Sequence, residues 1–290
     1  MPLAIRARAP GMTGEAVEHA LSGDRTVVRT WAMRGTLHLV AAADVPLMLA
    51  VYGELNIARD TRRLTELGLP PEAAARSTAE TAEILAEEGP LTRHELAARL
   101  RERGVPVAAE GQAPVHVVHR AAMAGVLVEA GVRGTDPVYA PRGAVPLPDR
   151  DAALAELARR YEAAHAPAER ADFAAWSGLP AADVRRAWEG VGASDGPAEA
   201  GGVRLLPAFD EWLLGWASRE PILAAAHAKR PAPGGGIVRP VAIADGRVFA
   251  TWRLDRKRGR VEVDSFGRVN KAMRAGLDAE IAAVLEFVRS

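Results

Sequence analysis

The chain has 290 residues, 49% hydrophobic and 26% charged, which is enough to bury a sizeable core in roughly one large domain or two to four small ones. Lysine plus arginine and aspartate plus glutamate number 37 each, so the net charge is zero and any nucleic-acid contact must come from a local basic patch. The absence of cysteine excludes disulfides, thiolate nucleophiles and Cys-based zinc sites.

A helix is expected over 13–21, with Thr13 as its N-cap and Ser22-Gly23-Asp24 as its stop. The string RTWAMRGTLHLV comes next, at 29–40. It predicts a strand at Val27–Trp31, a tight turn at Met33-Arg34-Gly35 and a second strand at 36–40. Alternation sets Val27, Arg29 and Trp31 on one face, and Thr36 with His38 on a face of the partner strand. Helix followed by hairpin is the order of a winged helix.

After the hairpin, Asp44 and Pro46 open a helix through Leu47, Leu49, Val51 and Leu55 that ends on Arg59, Arg62 and Arg63. A second unit starts at Leu69-Pro70-Pro71. Thr92 and Glu95 form a capping box, Pro114 starts a helix at 115–124, and VLVEAGVRGTDPVYA at 126–140 reads as another wing. In a winged helix the third helix usually enters the major groove. Here it carries His116, His119 and Arg120 at i, i+3 and i+4, expected to be exposed on one face.

A linker at 143–149 leads to a helix at 152–164, and two shorter helices around Gly178-Leu179-Pro180 read as a third helix-turn-helix. The stretch 190–202 has no apolar period and reads as a loop. The last segment turns to strands at Val203–Leu206, 238–244, 247–254 and Arg260–Ser265, with Asp245-Gly246 as a two-residue hairpin turn. A small barrel or curled antiparallel sheet is expected, closed by a helix over 270–288. The fold class is thus α+β with tandem winged helices. The expected modules span 1–68, 69–142, 149–192 and 203–290.

Three places can carry chemistry. RKRGR at 256–260 puts Arg256, Lys257, Arg258 and Arg260 at a hairpin tip, which either tracks phosphates or is a solvated tip protecting an edge strand. Asp210 and Glu211 stand between Phe209 and Trp212. A carboxylate there could stabilise a sugar cation or orient water, and Trp212 and Trp216 could stack on an unstacked base. The bland alternative is that Asp210 caps a short helix while the tryptophans fill the core. His38, with Arg29 and Arg34, forms a polar cluster able to donate to a phosphate. His116 and His119 have no third ligand nearby in sequence, so no metal site is expected, and no cofactor motif is present.

Several strings resemble, in order, the AlkZ and YcaQ family of bacterial winged-helix DNA glycosylases: PLAIRARAPG, RTWAMRGTLHLV, LLPAFDEWLLGW and GGGIVRPVAI with DGRVFATW. The resemblance implies hydrolysis of the N-glycosidic bond of bulky or crosslinking alkylated purines in double-stranded DNA, without a metal. It places His38 near the catalytic site and favours DNA contact by the basic hairpin. The family's Gln-x-Gln or Gln-x-Asp pair, expected just before residues 2–11, has no match in the chain, so no catalytic residue is assigned by transfer. The competing readings are a non-catalytic winged-helix DNA-binding protein or regulator, and a scaffold that does not bind DNA. A cytoplasmic location is expected, since no signal peptide opens the chain and no apolar run is long enough to span a bilayer, and a monomer is expected from the asymmetric tandem modules.

Overall fold

The computed structural model describes residues 2–192 and 201–290, so most of the loop expected at 190–202 lies outside the described residues. The described residues are mixed α/β with two antiparallel sheets, and the chain divides into two compact units: residues 19–157, and residues 1–18 with 158–290. Helices α1 (Pro2–Arg8) and α2 (Gly14–Glu18) belong to the second of these. Thr13 caps α2 as expected, its Oγ1 accepting from Ala16 N–H at 3.1 Å.

In the 19–157 unit the expected hairpin is β1 (Val27–Trp31) and β2 (Leu37–Ala41). Both Arg34 and Gly35 take positive φ in the turn between them, 55° and 68°. The helix α3 (Val45–Glu66) leads to α4 (Pro71–Glu88), which starts behind Pro70 and stops at Gly89. The short β3 (Leu91–Thr92) runs into α5 (Arg93–Glu102), where both arms of the capping box form. After α6 (Ala113–Met123) come β4 (Leu127–Arg133) and β5 (Asp136–Pro141). The two hairpins are not separate wings of separate sheets. They join in one sheet of order β2-β1-β4-β5-β3, stitched where Arg29 of β1 stands opposite Glu129 of β4.

The polar side chains of this unit are positioned by the close packing of α3 on α6. Leu49, Gly53, Asn56, Asp60 and Leu64 recur at helical spacing along the buried side of α3. A Cβ at Gly53 would lie 2.8 Å from the Met123 carbonyl, so only glycine lets the two backbones approach this closely. Asn56 donates to Met123 Sδ at 3.4 Å, and Asp60, one turn further along α3, meets His119 and His116, earlier on α6. The helices therefore run antiparallel.

Helix α7 (Arg150–His165) crosses the division between the units, and α8 (Arg170–Ser177) and α9 (Ala181–Trp188) come after it, around Gly178 in the left-handed region. The second sheet is β6 (Val203–Leu206), β7 (Val241–Ala244), β8 (Arg247–Asp255) and β9 (Arg260–Ser265) in that order. Its outer strands β6 and β9 do not pair, so the sheet is open and the barrel expected as one option does not form. Asp245 and Gly246 both take positive φ, as a type I′ turn requires. Between β6 and β7 lies the one-turn helix α10 (Glu211–Leu214). The last helix, α11 (Lys271–Phe287), is capped by Asn270, whose Oδ1 accepts from Met273 N–H at 2.9 Å, and it packs Leu277, Ile281 and Val284 over the sheet. Among the described residues, no helix is long and apolar enough to cross a membrane.

Candidate nucleic-acid interface

In the 19–157 unit, Trp31, Arg34, Gly35, Asn56, Arg59, Asp60, Val115, His116 and His119 line a cavity of about 290 Å³. Asp60 sits at its wall, 8% exposed, and uses both oxygens on imidazoles: Oδ1 on His116 Nδ1 at 2.7 Å and Oδ2 on His119 Nδ1 at 3.2 Å. Burial pushes its carboxyl up, but the bonds and charge of His119 and His116 outweigh that and hold it below the ordinary carboxylate value. An ionised carboxylate only accepts, so both Nδ1 atoms carry the proton. His119 Nε2 and Asn56 Oδ1 are buried with no hydrogen-bond partner among the described residues. The amide of Asn56 is fixed by its Nδ2 donating to the Ala32 carbonyl at 2.8 Å.

This corrects the expected exposure of His116 and His119 as groove-reading side chains, since their side chains are 25% and 12% exposed and turn onto α3. It also corrects the premise that no third ligand lies near them. Asp60, His116 and His119 each offer an atom within 4.8 Å of the others, which is a possible donor set for a metal ion. A cation there would have to displace the N–H···O bonds to Asp60, and Arg34 and Arg59 in the same wall oppose its charge. Arg120 leaves this group: its Nε donates to the Ala74 carbonyl at 3.2 Å, and burial lowers its pKa.

The remaining residues of the first hairpin diverge. His38 Nε2 lies 2.9 Å from Thr36 Oγ1 and 3.3 Å from the Met33 carbonyl, bonded to its own turn. Arg29 is paired with the buried Glu129 across the sheet, which takes it out of the set of open cations. Arg34 is exposed beside the cavity mouth.

In the other unit, Asp210 is 2% exposed and takes a two-pronged bond from Arg8, Nη1 to Oδ2 at 3.0 Å and Nη2 to Oδ1 at 2.8 Å. Its Oδ1 also caps α10, accepting from Trp212 N–H at 2.9 Å. The bond to Asp210 raises the Arg8 pKa above its ordinary value, so the guanidinium keeps its charge. Glu211 accepts from Trp176 Nε1 and lies 3.7 Å from His165 Nε2. Burial pushes the His165 imidazole down. Trp212 and Trp216 spend their indole N–H groups on the carbonyls of Gly246 and His165 and pack edge to face at 5.2 Å. These bonds fit the bland alternative for Asp210 and the tryptophans: a cap and a core.

At the tip of the β8–β9 hairpin, Arg253 and Arg260 share Glu262, and Arg258 bonds Asp255. The hydrogen bond from Arg253 is the main cause of the lowered Glu262 pKa. Arg256 and Lys257 stand exposed at the tip.

Residues 2–287 match the model of the DNA glycosylase AlkZ-like family. The chain belongs to the AlkZ-like DNA glycosylase family. A curated relative, the interstrand DNA cross-link repair glycosylase of Streptomyces sahachiroi, is 27% identical over 288 residues, covering 87% of this chain and 76% of the relative. The solved structure of the Streptomyces sahachiroi DNA glycosylase AlkZ superimposes with a TM-score of 0.75 at 24% identity, over 94% of this chain and 82% of that one. That second likeness speaks for the fold. The AlkZ-like resemblance read from the four strings is therefore correct, although Asp60, Asn56 and Arg8 were not singled out from them. Sequence did carry one signal for Arg8 and Asp210, because both lie inside family strings.

Proposed function

We propose that the chain is a DNA-repair glycosylase that hydrolyses the N-glycosidic bond of bulky or crosslinking alkylated purines in duplex DNA. The observation that carries this reading is the family match across residues 2–287, joined to a relative named for interstrand cross-link repair that aligns with 87% of the chain. The expected segments 1–68, 69–142, 149–192 and 203–290 would then be parts of two compact units, residues 19–157 and residues 1–18 with 158–290, in a cytoplasmic monomer. Arg34, Arg256 and Lys257 are the proposed phosphate contacts, with Arg258 and Arg260 adding to the field at the tip. Asp210 is a positioning residue in this reading: it holds Arg8 and the start of α10, and it has no spare oxygen to serve as acid or base.

The engagement of Asp210 and Glu211 within the protein favours a second reading, a DNA-binding protein without the chemistry. Release of free base from an N7-alkylguanine duplex separates the two. Under the glycosylase reading the duplex loses the alkylated base and gains an alkali-labile site. Tight binding with no base release over the same time course overturns it. Charge reversal at Arg256 and Lys257 tests the interface itself: the slope of log affinity against log salt is expected to fall by about 2. An unchanged affinity and slope would remove the hairpin from the interface.

A further inference from the structure

Among the large apolar side chains exposed in the described residues, Phe209 is the aromatic one, at 59%. Its backbone has φ 57°, in the left-handed region that a phenylalanine rarely enters. It is held there from both sides. On one side its N–H donates to the Val238 carbonyl at 3.3 Å; on the other, Asp210 is buried, clamped by Arg8 and capping α10. A side chain kept in water at an unfavourable φ by such firm neighbours points to a use outside the folded core.

The bond to Val238 brings a second exposed apolar group alongside. Ile237, 53% exposed, closes a turn whose residues Gly234, Gly235 and Gly236 all have positive φ, and its N–H returns to the Gly234 carbonyl at 3.2 Å. Two cations belong to the neighbouring residues. The Arg8 side chain, 47% exposed, pairs with Asp210, the residue after Phe209, and Arg239, two residues after Ile237, donates to the Arg230 carbonyl at 3.4 Å. Two apolar side chains are too few for a stable protein interface, which needs about 800 Å² on each partner. An apolar pair with guanidinium groups on neighbouring residues is instead the pattern of a side chain that enters a base step while arginines hold the adjacent phosphates.

We propose that Phe209, backed by Ile237, is a wedge that enters the base stack of duplex DNA and props open the step beside an unstacked nucleotide. The proposal rests on the DNA-repair reading above. Phe209 would act by occupying the gap left in the stack, as an aromatic ring can. Its fixed loop is then preorganisation, since little freedom remains to be lost on insertion.

The test is a duplex carrying 2-aminopurine beside an N7-alkylguanine, whose fluorescence rises when the probe is unstacked. Wild-type protein at saturation is expected to raise it. Phe209→Ala should abolish the rise, Phe209→Trp keep it, and Ile237→Ala reduce it, with the salt slope of binding unchanged in all three. Base release by Phe209→Ala should fall roughly tenfold on duplex, matching one lost stacking contact, and be unchanged on a single strand, where no stack must be opened. Because Phe209 is exposed, Phe209→Ala should keep the wild-type Tm, and Phe209→Gly, which relieves the φ, should match or exceed it. A saturating wild-type complex that releases base without the fluorescence rise overturns the wedge and leaves the glycosylase standing. A rise without base release does the reverse. Equal signals from wild type and Phe209→Ala also overturn the wedge.

Discussion

Asp60 and Asp210 are both buried, 8% and 2% exposed, and each binds partners from distant parts of the chain. Asp210 bonds a guanidinium and a backbone N–H, groups that stay protonated at any ordinary pH. Every contact it makes is constant, and the product is an anchored residue next to the exposed Phe209. Asp60 bonds two imidazoles, which have a second nitrogen each and can change protonation. Its product is a fixed orientation of His119, with Nε2 unsatisfied at a cavity. The same side chain thus serves as an anchor or as an aiming device, depending on whether its partners have anything left to offer.

Removing the two carboxylates should separate these roles. Asp210→Ala loses a cap and leaves Arg8 unpaired, and is expected to cost about 3 kcal/mol, discounted because Arg8 is half exposed. Urea unfolding measures it, and a loss under about 1 kcal/mol would reduce Asp210 to a surface cap. Asp60→Ala should cost less, about 2 kcal/mol, because each histidine can regain water through the open cavity. A larger loss than for Asp210 would invert the comparison.

The smallest expected effects are in pH. The Asp60 carboxyl is depressed in the fold, so its contribution is complete above about pH 4 and is lost as the pH falls through its folded value. Asp60→Asn should flatten that acid limb. His165 is also depressed, by burial, but as a base. The folded state disfavours its proton, so stability is full above about pH 6.5 and declines as the pH drops toward the folded value. Urea midpoints at pH 7.5 and 5.5 should fall for wild type and stay closer together in His165→Gln. A wild-type midpoint that rises on acidification would show that His165 gains its charge without penalty.

Local chemistry was legible in the sequence. The hairpin that starts at Val27–Trp31, the capping box of Thr92 and Glu95, the Asp245-Gly246 turn and the closing helix after Asn270 each depend on a few neighbouring residues and formed as expected. What escaped depends on distance along the chain. Asp60 and His116 are 56 residues apart, and Arg29 and Glu129 are 100 apart, so neither pairing leaves a periodic trace. Whether four strands close into a barrel is decided by the pairing of the outermost two, which no strand pattern encodes. Phe209 was hidden for another reason. It lies in LLPAFDEW, an apolar string that reads as core, and only its backbone conformation turns it outward.

The clamp on α1 also sets an order of events in synthesis. Arg8 bonds a residue 202 positions later, and Arg6 bonds Glu280, 274 positions later. At roughly 5–20 residues per second, residues 2–8 wait on the order of 10–60 s for these partners to be made. The tertiary bonds of Arg6 and Arg8 therefore cannot form until residues 205–280 have been made, which sets the docking of this segment late in the formation of its unit.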